Sequence, residues 1–189
     1  KMKLAHAMMY FLRGVPVIYY GDEQGFTGTG GDQASRQNMF PAQVDEYLAN
    51  DNIGSAATPG DDNFDTEHPL YQAFAEYAEV LRAHPALRRG VQHERYVETG
   101  GKGAFVVSRV YEREEYLVAF NTSAEPVVVS LPAVAKAYLG VYPERAAARR
   151  NGDQVELELE PFGMAIYRAN KPVPVSPAPE VELSGFNSD

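Results

Sequence analysis

Apolar residues at Leu4, Met8, Phe11 and Leu12 recur at the spacing of one helical face, and the pattern breaks at Gly14 and Pro16. Glycine and proline so placed stop a helix. The next residues, Val15 to Tyr20, are apolar without alternation, which predicts a strand buried on both faces. Two carboxylates, Asp22 and Glu23, follow at its C-terminal tip. The pattern then turns polar and Gly-rich over 27–43, predicting a long excursion loop, and stays irregular over 44–65 except for a short helix at VDEYLAN. A second amphipathic helix is predicted over 68–84, with Leu70, Phe74, Tyr77 and Leu81 on one face. Pro69 suits its first turn and Pro85 ends it.

After Arg89 the period changes. VQHERYV, GAFVVSRVY, EYLVAFN, PVVVSL, QVELELE and GMAIYRA are short β-type runs between turn residues, and QVELELE alternates strictly, as a strand with one wet face does. Such a series predicts an antiparallel sandwich or barrel. From Asn170 onward four prolines fall within ten residues, which reads as a linker; EVELSGF beyond it has the pattern of a strand opening a further module. No internal repeat is visible. The chain starts inside a helical pattern, without Met, and reads as cut from something longer.

The 189 residues suit one or two domains. A net charge of −9 argues against a nucleic-acid surface, which needs clustered Lys and Arg, and no apolar run is long enough to predict a membrane span. The absence of cysteine removes thiol catalysis, disulfides and zinc–thiolate sites.

An α/β half followed by an all-β half, with GxPxIYYGxE near its start, resembles the α-amylase family of glycoside hydrolases (family 13 type). Gly14, Pro16, Ile18, Tyr19, Tyr20, Gly21 and Glu23 match that family's eighth-barrel-strand signature. Asp32, Arg36 and Met39 match its D-x-x-x-R-x-x-M loop. LRAHPALRRG resembles the last barrel helix and exit, while YLVAFNTS with Asn121 and LELEPFGMAIY with Pro161 resemble strands of the C-terminal sandwich. The resemblance covers residues 1 to about 170. It implies an α+β fragment: residues 1–88 as the last strand and helices of a TIM (β/α)8 barrel, 89–170 as an antiparallel β-sandwich, and 171–189 as linker and start of a further β module.

The same resemblance implies a secreted or periplasmic parent enzyme that cleaves α-glucosidic bonds of starch-like glucans with retention. Its nucleophile, acid/base and transition-state-stabilising carboxylates would come from earlier barrel strands, so this piece alone is expected to be inactive. Glycoside hydrolysis needs two carboxylates about 5–9 Å apart across the scissile bond, and neighbours on one strand point to opposite sides. The resemblance implies that Glu23 is a structural carboxylate at the barrel rim, with a catalytic role as the rival reading. Asp32 and Arg36 are the substrate-binding candidates, since a carboxylate and a guanidinium suit sugar hydroxyls and the family's matching pair binds a glucose unit. An intraloop salt bridge is the competing reading and is compatible with the first. No catalytic residue, metal ligand or cofactor is assigned to these residues, and calcium in the parent is left open. The partner class is an α-glucan, without nucleic acid or membrane, and the exposed edge of the lone strand suggests self-association of the fragment. Two other functions stay open: a glucan-binding or interaction module, and a transglycosylase or isomerase on the same barrel.

Weaker signals have plainer explanations. Asp61, Asn63 and Asp65 alternate like the start of a calcium loop, but Thr66 and Gln72 stand where the EF-hand needs Gly and Glu, so the stretch reads as a solvated acidic loop. His6, His68, His84 and His93 lack metal-ligand spacing; His6 reads as a helix-face residue and His84 as a helix-end residue favoured by the dipole. Tyr96, Tyr111, Tyr116, Tyr138 and Tyr142 read as core or edge packing rather than a sugar platform.

Overall fold

The computed structural model describes residues 1–28 and 30–174. The linker and further module expected over 171–189 therefore lie outside the described residues from position 175 onward. Helices come first: α1 (Met2–Phe11), α2 (Asp45–Leu48), α3 (Pro69–Ala83) and α4 (Pro85–Arg89). Among the described residues eight strands follow: β1 (Val91–Val97), β2 (Ala104–Tyr111), β3 (Glu114–Asn121), β4 (Val127–Pro132), β5 (Tyr138–Tyr142), β6 (Ala148–Asn151), β7 (Gln154–Leu159) and β8 (Met164–Ala169). Every pairing is antiparallel, in a five-stranded sheet ordered β1-β2-β3-β8-β5 and a three-stranded sheet ordered β4-β7-β6. The chain is a mixed α+β segment, helices then antiparallel sheets.

The larger sheet is covered on both faces, which explains why β3 reads as a continuous apolar run. Its residues Val107, Tyr116, Val118, Phe120 and Ile166 pack against Leu4, Ala7, Tyr10 and Phe11 of α1, Leu70, Phe74 and Tyr77 of α3, and Leu87 of α4. From the opposite face Val106, Leu117, Ala119, Ala165 and Tyr167 meet Val129, Leu131, Val155, Leu157 and Leu159 of the smaller sheet. This alternation is the period of two that separates the faces of a strand. The helical layer locks through aromatic edges: Tyr10 and Phe11 each lie 5.5 Å from Tyr77 between ring centres, and the Tyr77 hydroxyl donates to the Lys3 carbonyl at 3.2 Å.

Three expectations need correction. Val15 to Tyr20 form no strand: the segment has no regular structure, pairs with no described strand, and is exposed, Val15 at 86% and Val17 at 74%. Its apolar pattern remains, but no neighbouring described strand takes up its backbone groups. Pro85 ends α3 yet also starts α4, because the first turn of a helix has no use for the N–H that proline lacks. Val173 is buried and its amide donates to the Arg113 carbonyl at 2.8 Å, so the proline-rich stretch begins docked on the β2–β3 turn.

Candidate functional site

Between Tyr20 and α3 the described residues form turns and loops interrupted by α2, and several of these turns are held by polar side chains. Asp22 and Glu23 lie in a single 3-10 turn (Asp22–Gln24), not at the tip of a strand. Each carboxylate folds back on local backbone: Asp22 Oδ2 accepts from the Tyr19 amide and Glu23 Oε2 from the Gly21 amide, both at 3.0 Å. Gln24, buried beside them, clamps this turn to the start of α3, donating to the Asp65 carbonyl at 2.9 Å and accepting from the Asp65 amide at 3.3 Å.

Asp32 and Arg36 are brought together. The chain makes a helix-like turn over Gly31 to Arg36, with Ser35 N bonded to the Gly31 carbonyl at 3.1 Å. Residues four apart then share a face, and Arg36 Nη2 donates to Asp32 Oδ2 at 2.6 Å. Both side chains stay open to solvent, Arg36 at 58% and Asp32 at 80%. An ion pair this exposed contributes little to stability, at most about 1 kcal/mol. What it provides is an acceptor and a planar fork of donors facing outward.

One aromatic side chain reaches this turn, the Tyr47 hydroxyl donating to the Gln33 carbonyl at 3.5 Å, and two exposed aromatic pairs lie on other stretches. The Tyr19 and Tyr20 rings lie 4.4 Å apart and are exposed. Its hydrogen bond to Tyr19, then burial, push the Tyr20 phenol up from its ordinary value, and Arg36 pulls against the rise. On the next stretch Phe40 and Phe64 form an exposed tilted pair 5.1 Å apart, set side by side by the bond from Asn63 N to the Met39 carbonyl at 2.9 Å.

The acidic stretch expected to be solvated is anchored by a buried residue. Asn63 Nδ2 donates to the Thr58 and Asp61 carbonyls at 3.1 and 2.9 Å, while its Oδ1 accepts from Asn52 at 2.6 Å. Asp61 caps the Thr58 amide at 2.8 Å and Asp65 the Glu67 amide at 2.8 Å. These groups are spent on turn geometry, and among the described residues no cluster of acidic, His or Cys side chains could hold a metal. His68 is the N-cap of α3: its Nδ1 accepts from Leu70 N at 3.2 Å, which leaves Nε2 as the site of the ring proton in the neutral form.

His84 departs from expectation. It is the C-cap of α3 but also the N-cap of α4, so the two helix dipoles oppose one another there. Burial lowers its pKa first, Arg168 lowers it further and Glu114 opposes them, so the neutral ring bonds the Tyr116 hydroxyl at 3.0 Å. A pocket of about 250 Å³ lies elsewhere, at the β5–β8 edge beside Glu114, Leu139 and Arg168, and contains none of the sequence-derived candidates. Sequence reasoning missed Gln37, Asn52 and Tyr47. Their types are ordinary in loops, and only Gln37's place beside Arg36 could have drawn notice.

No family model matches the chain. An α-amylase of Streptomyces lividans is 37% identical over 188 residues, 97% of this chain and 20% of its own length. A cyclomaltodextrin glucanotransferase of Geobacillus stearothermophilus is 25% identical over 163 residues, 83% of this chain and 18% of its own length. The crystal structure of the α-amylase of Geobacillus thermoleovorans, complexed with acarbose, matches with a TM-score of 0.65 at 20% identity over 90% of this chain and 33% of that one. The chain thus spans about a fifth of the length of these sequence relatives. Helices leading into packed antiparallel sheets are an architecture this chain shares with part of an α-amylase structure. The chain is a relative of the α-amylase family of glycoside hydrolases, corresponding to a segment of those longer proteins.

Proposed function

We propose that this chain is the C-terminal part of an α-amylase-type enzyme that cleaves α-glucosidic bonds of starch-like glucans by a retaining mechanism. In this reading residues 1–88 complete a (β/α)8 barrel, 89–170 form the C-terminal β-sandwich, and Val15 to Tyr20 become the eighth barrel strand once neighbours cover them. The apolar, uncovered character of that segment supports the assignment, since a buried parallel strand has this composition. Until then its edge is also where a second copy would add a strand. Glu23, already bonded to backbone, serves as a rim carboxylate. In this reading the parent is secreted or periplasmic.

The observation that carries the reading is the 37% identity over 97% of the chain, joined to an Asp32–Arg36 pair held open to solvent. The guanidinium and carboxylate hydrogen-bond the hydroxyls of a glucose unit away from the reacting bond, and Tyr47, bonded to the same turn, offers it an apolar face. The nucleophile and acid lie outside these residues. The isolated chain is therefore expected to release no reducing sugar from soluble starch, because no covalent glycosyl intermediate can form. In the complete enzyme Arg36→Ala is expected to lower kcat/KM on maltooligosaccharides by roughly 10–100-fold, about 1.4–2.7 kcal/mol of transition-state binding. Unchanged kcat/KM on long and short oligosaccharides would return Arg36 to a structural role. A second reading, transglycosylation on the same scaffold, has the glucanotransferase relative in its favour; product analysis for cyclic or elongated glucans separates the two.

A further inference from the structure

The Asp32–Arg36 turn is exposed and short of regular structure, yet a sugar contact works only if its donors are fixed in place. Its anchorage is at its base. Gly28 donates its amide to Gln37 Oε1 at 3.1 Å, tying together the two ends of the stretch that carries the pair. Gln37 is 0% exposed although its neighbours Arg36 and Asn38 are exposed. The approach is tight: Gly28 has a φ of +52°, and a side chain there would meet Ser35 Cβ at 2.9 Å. Below the neck, Thr27 Oγ1 donates to the Asp51 carbonyl at 3.0 Å and Ile53 N to the Gly25 carbonyl at 2.7 Å. The 51–54 stretch rests in turn on His68 of the α3 cap, whose ring lies 3.4 Å from where a Gly54 side chain would begin.

We propose that Gln37 is a positioning residue for sugar binding: its buried amide fixes the base of the turn, and so the height and direction of the Asp32–Arg36 pair. The inference rests on the reading of that pair as a glucan contact. Gln37 touches no substrate and acts through Arg36. An oxygen acceptor of the right length is what the position requires, because the Gly28 amide has to be met inside a buried neck.

The test uses the complete enzyme with maltoheptaose and compares Gln37→Met, which keeps the length but loses the acceptor, with Gln37→Glu, which keeps an oxygen. Gln37→Met is expected to raise KM about 5–20-fold with kcat within about twofold, and Gln37→Glu to stay within about twofold in both. Thermal midpoints of the two variants should fall alike, since both disturb the same buried site. In an Arg36→Ala background the Gln37→Met effect should shrink to less than about twofold. Equal KM increases for Met and Glu, or losses that multiply with Arg36→Ala, would overturn the positioning role while leaving the sugar contact intact. If Arg36→Ala alone changes nothing, the sugar contact itself fails and the positioning role falls with it.

Discussion

Replacing Arg95 with methionine is expected to destabilise the chain by about 3–5 kcal/mol, the typical cost of removing one member of a buried ion pair. Arg95 on β1 and Glu115 on β3 are paired with side chains only 13% and 3% exposed. Glu115 Oε2 also accepts from the Tyr138 hydroxyl at 2.8 Å, and Arg95 donates to the Pro132 carbonyl. Burial, and then Glu115, push the Tyr138 phenol up to about 12, so it remains a donor at ordinary pH. Without Arg95 the carboxylate keeps that single phenol against a desolvation cost of several kcal/mol. Urea unfolding of Arg95→Met, with Arg95→Met/Glu115→Leu beside it, checks the cause. The double variant should recover much of the loss, since it strands no charge. A single variant within about 1 kcal/mol of the parent would show that the pair is solvated and dispensable.

Asn121→Ala should cost a comparable amount, about 3–5 kcal/mol, by a different route. Asn121 is fully buried at the end of β3. Its Nδ2 donates to the Glu125, Glu160 and Leu159 carbonyls at 2.7, 3.0 and 3.4 Å, and its Oδ1 accepts from Ser123 N at 2.9 Å. One side chain thus satisfies the turn leaving β3 and the loop between β7 and β8. Alanine leaves buried carbonyls without a donor. Asn121→Asp keeps the acceptor for Ser123 but turns an oxygen toward those carbonyls, and should be no more stable than alanine. Thermal unfolding of both decides it: an aspartate variant close to the parent would mean that the carbonyls are met by solvent.

α1, α3 and most strands were legible because their apolar positions record the layers that cover them, whereas α4 was not. β3 reads as unbroken because both its faces are buried, and β7 alternates because its outer face is wet. β5 and β6 were not legible. β5 is an edge strand interrupted by Gly140 and followed by Pro143, and β6 is Ala-Arg-Arg-Asn, mostly exposed, with no apolar stripe to betray it. Val15 to Tyr20 failed in the opposite sense, since the pattern specifies a covering that these residues do not themselves supply. In the site, Asp32 and Arg36 could be singled out because their types carry chemistry and their spacing suits one turn. The buried amides of Gln37, Asn52 and Asn63 could not, because their bonds join turns of irregular spacing, nine residues apart for Gly28–Gln37 and eleven for Asn52–Asn63, which no periodic pattern records.

Arg109 gives the meeting of helices and sheets a particular character. It is a buried cation on β2 that bonds no carboxylate among the described residues; it donates to the Phe11 carbonyl at the end of α1 at 3.1 Å and to the Gly90 carbonyl after α4 at 3.2 Å. Burial lowers its pKa, and the two carbonyls are what make its placement tolerable. The junction is therefore keyed: a sheet half transplanted onto another helical half would fit only where that half offers carbonyls at the same two places. Recombination among relatives at this border would be filtered by one guanidinium before any question of activity arose.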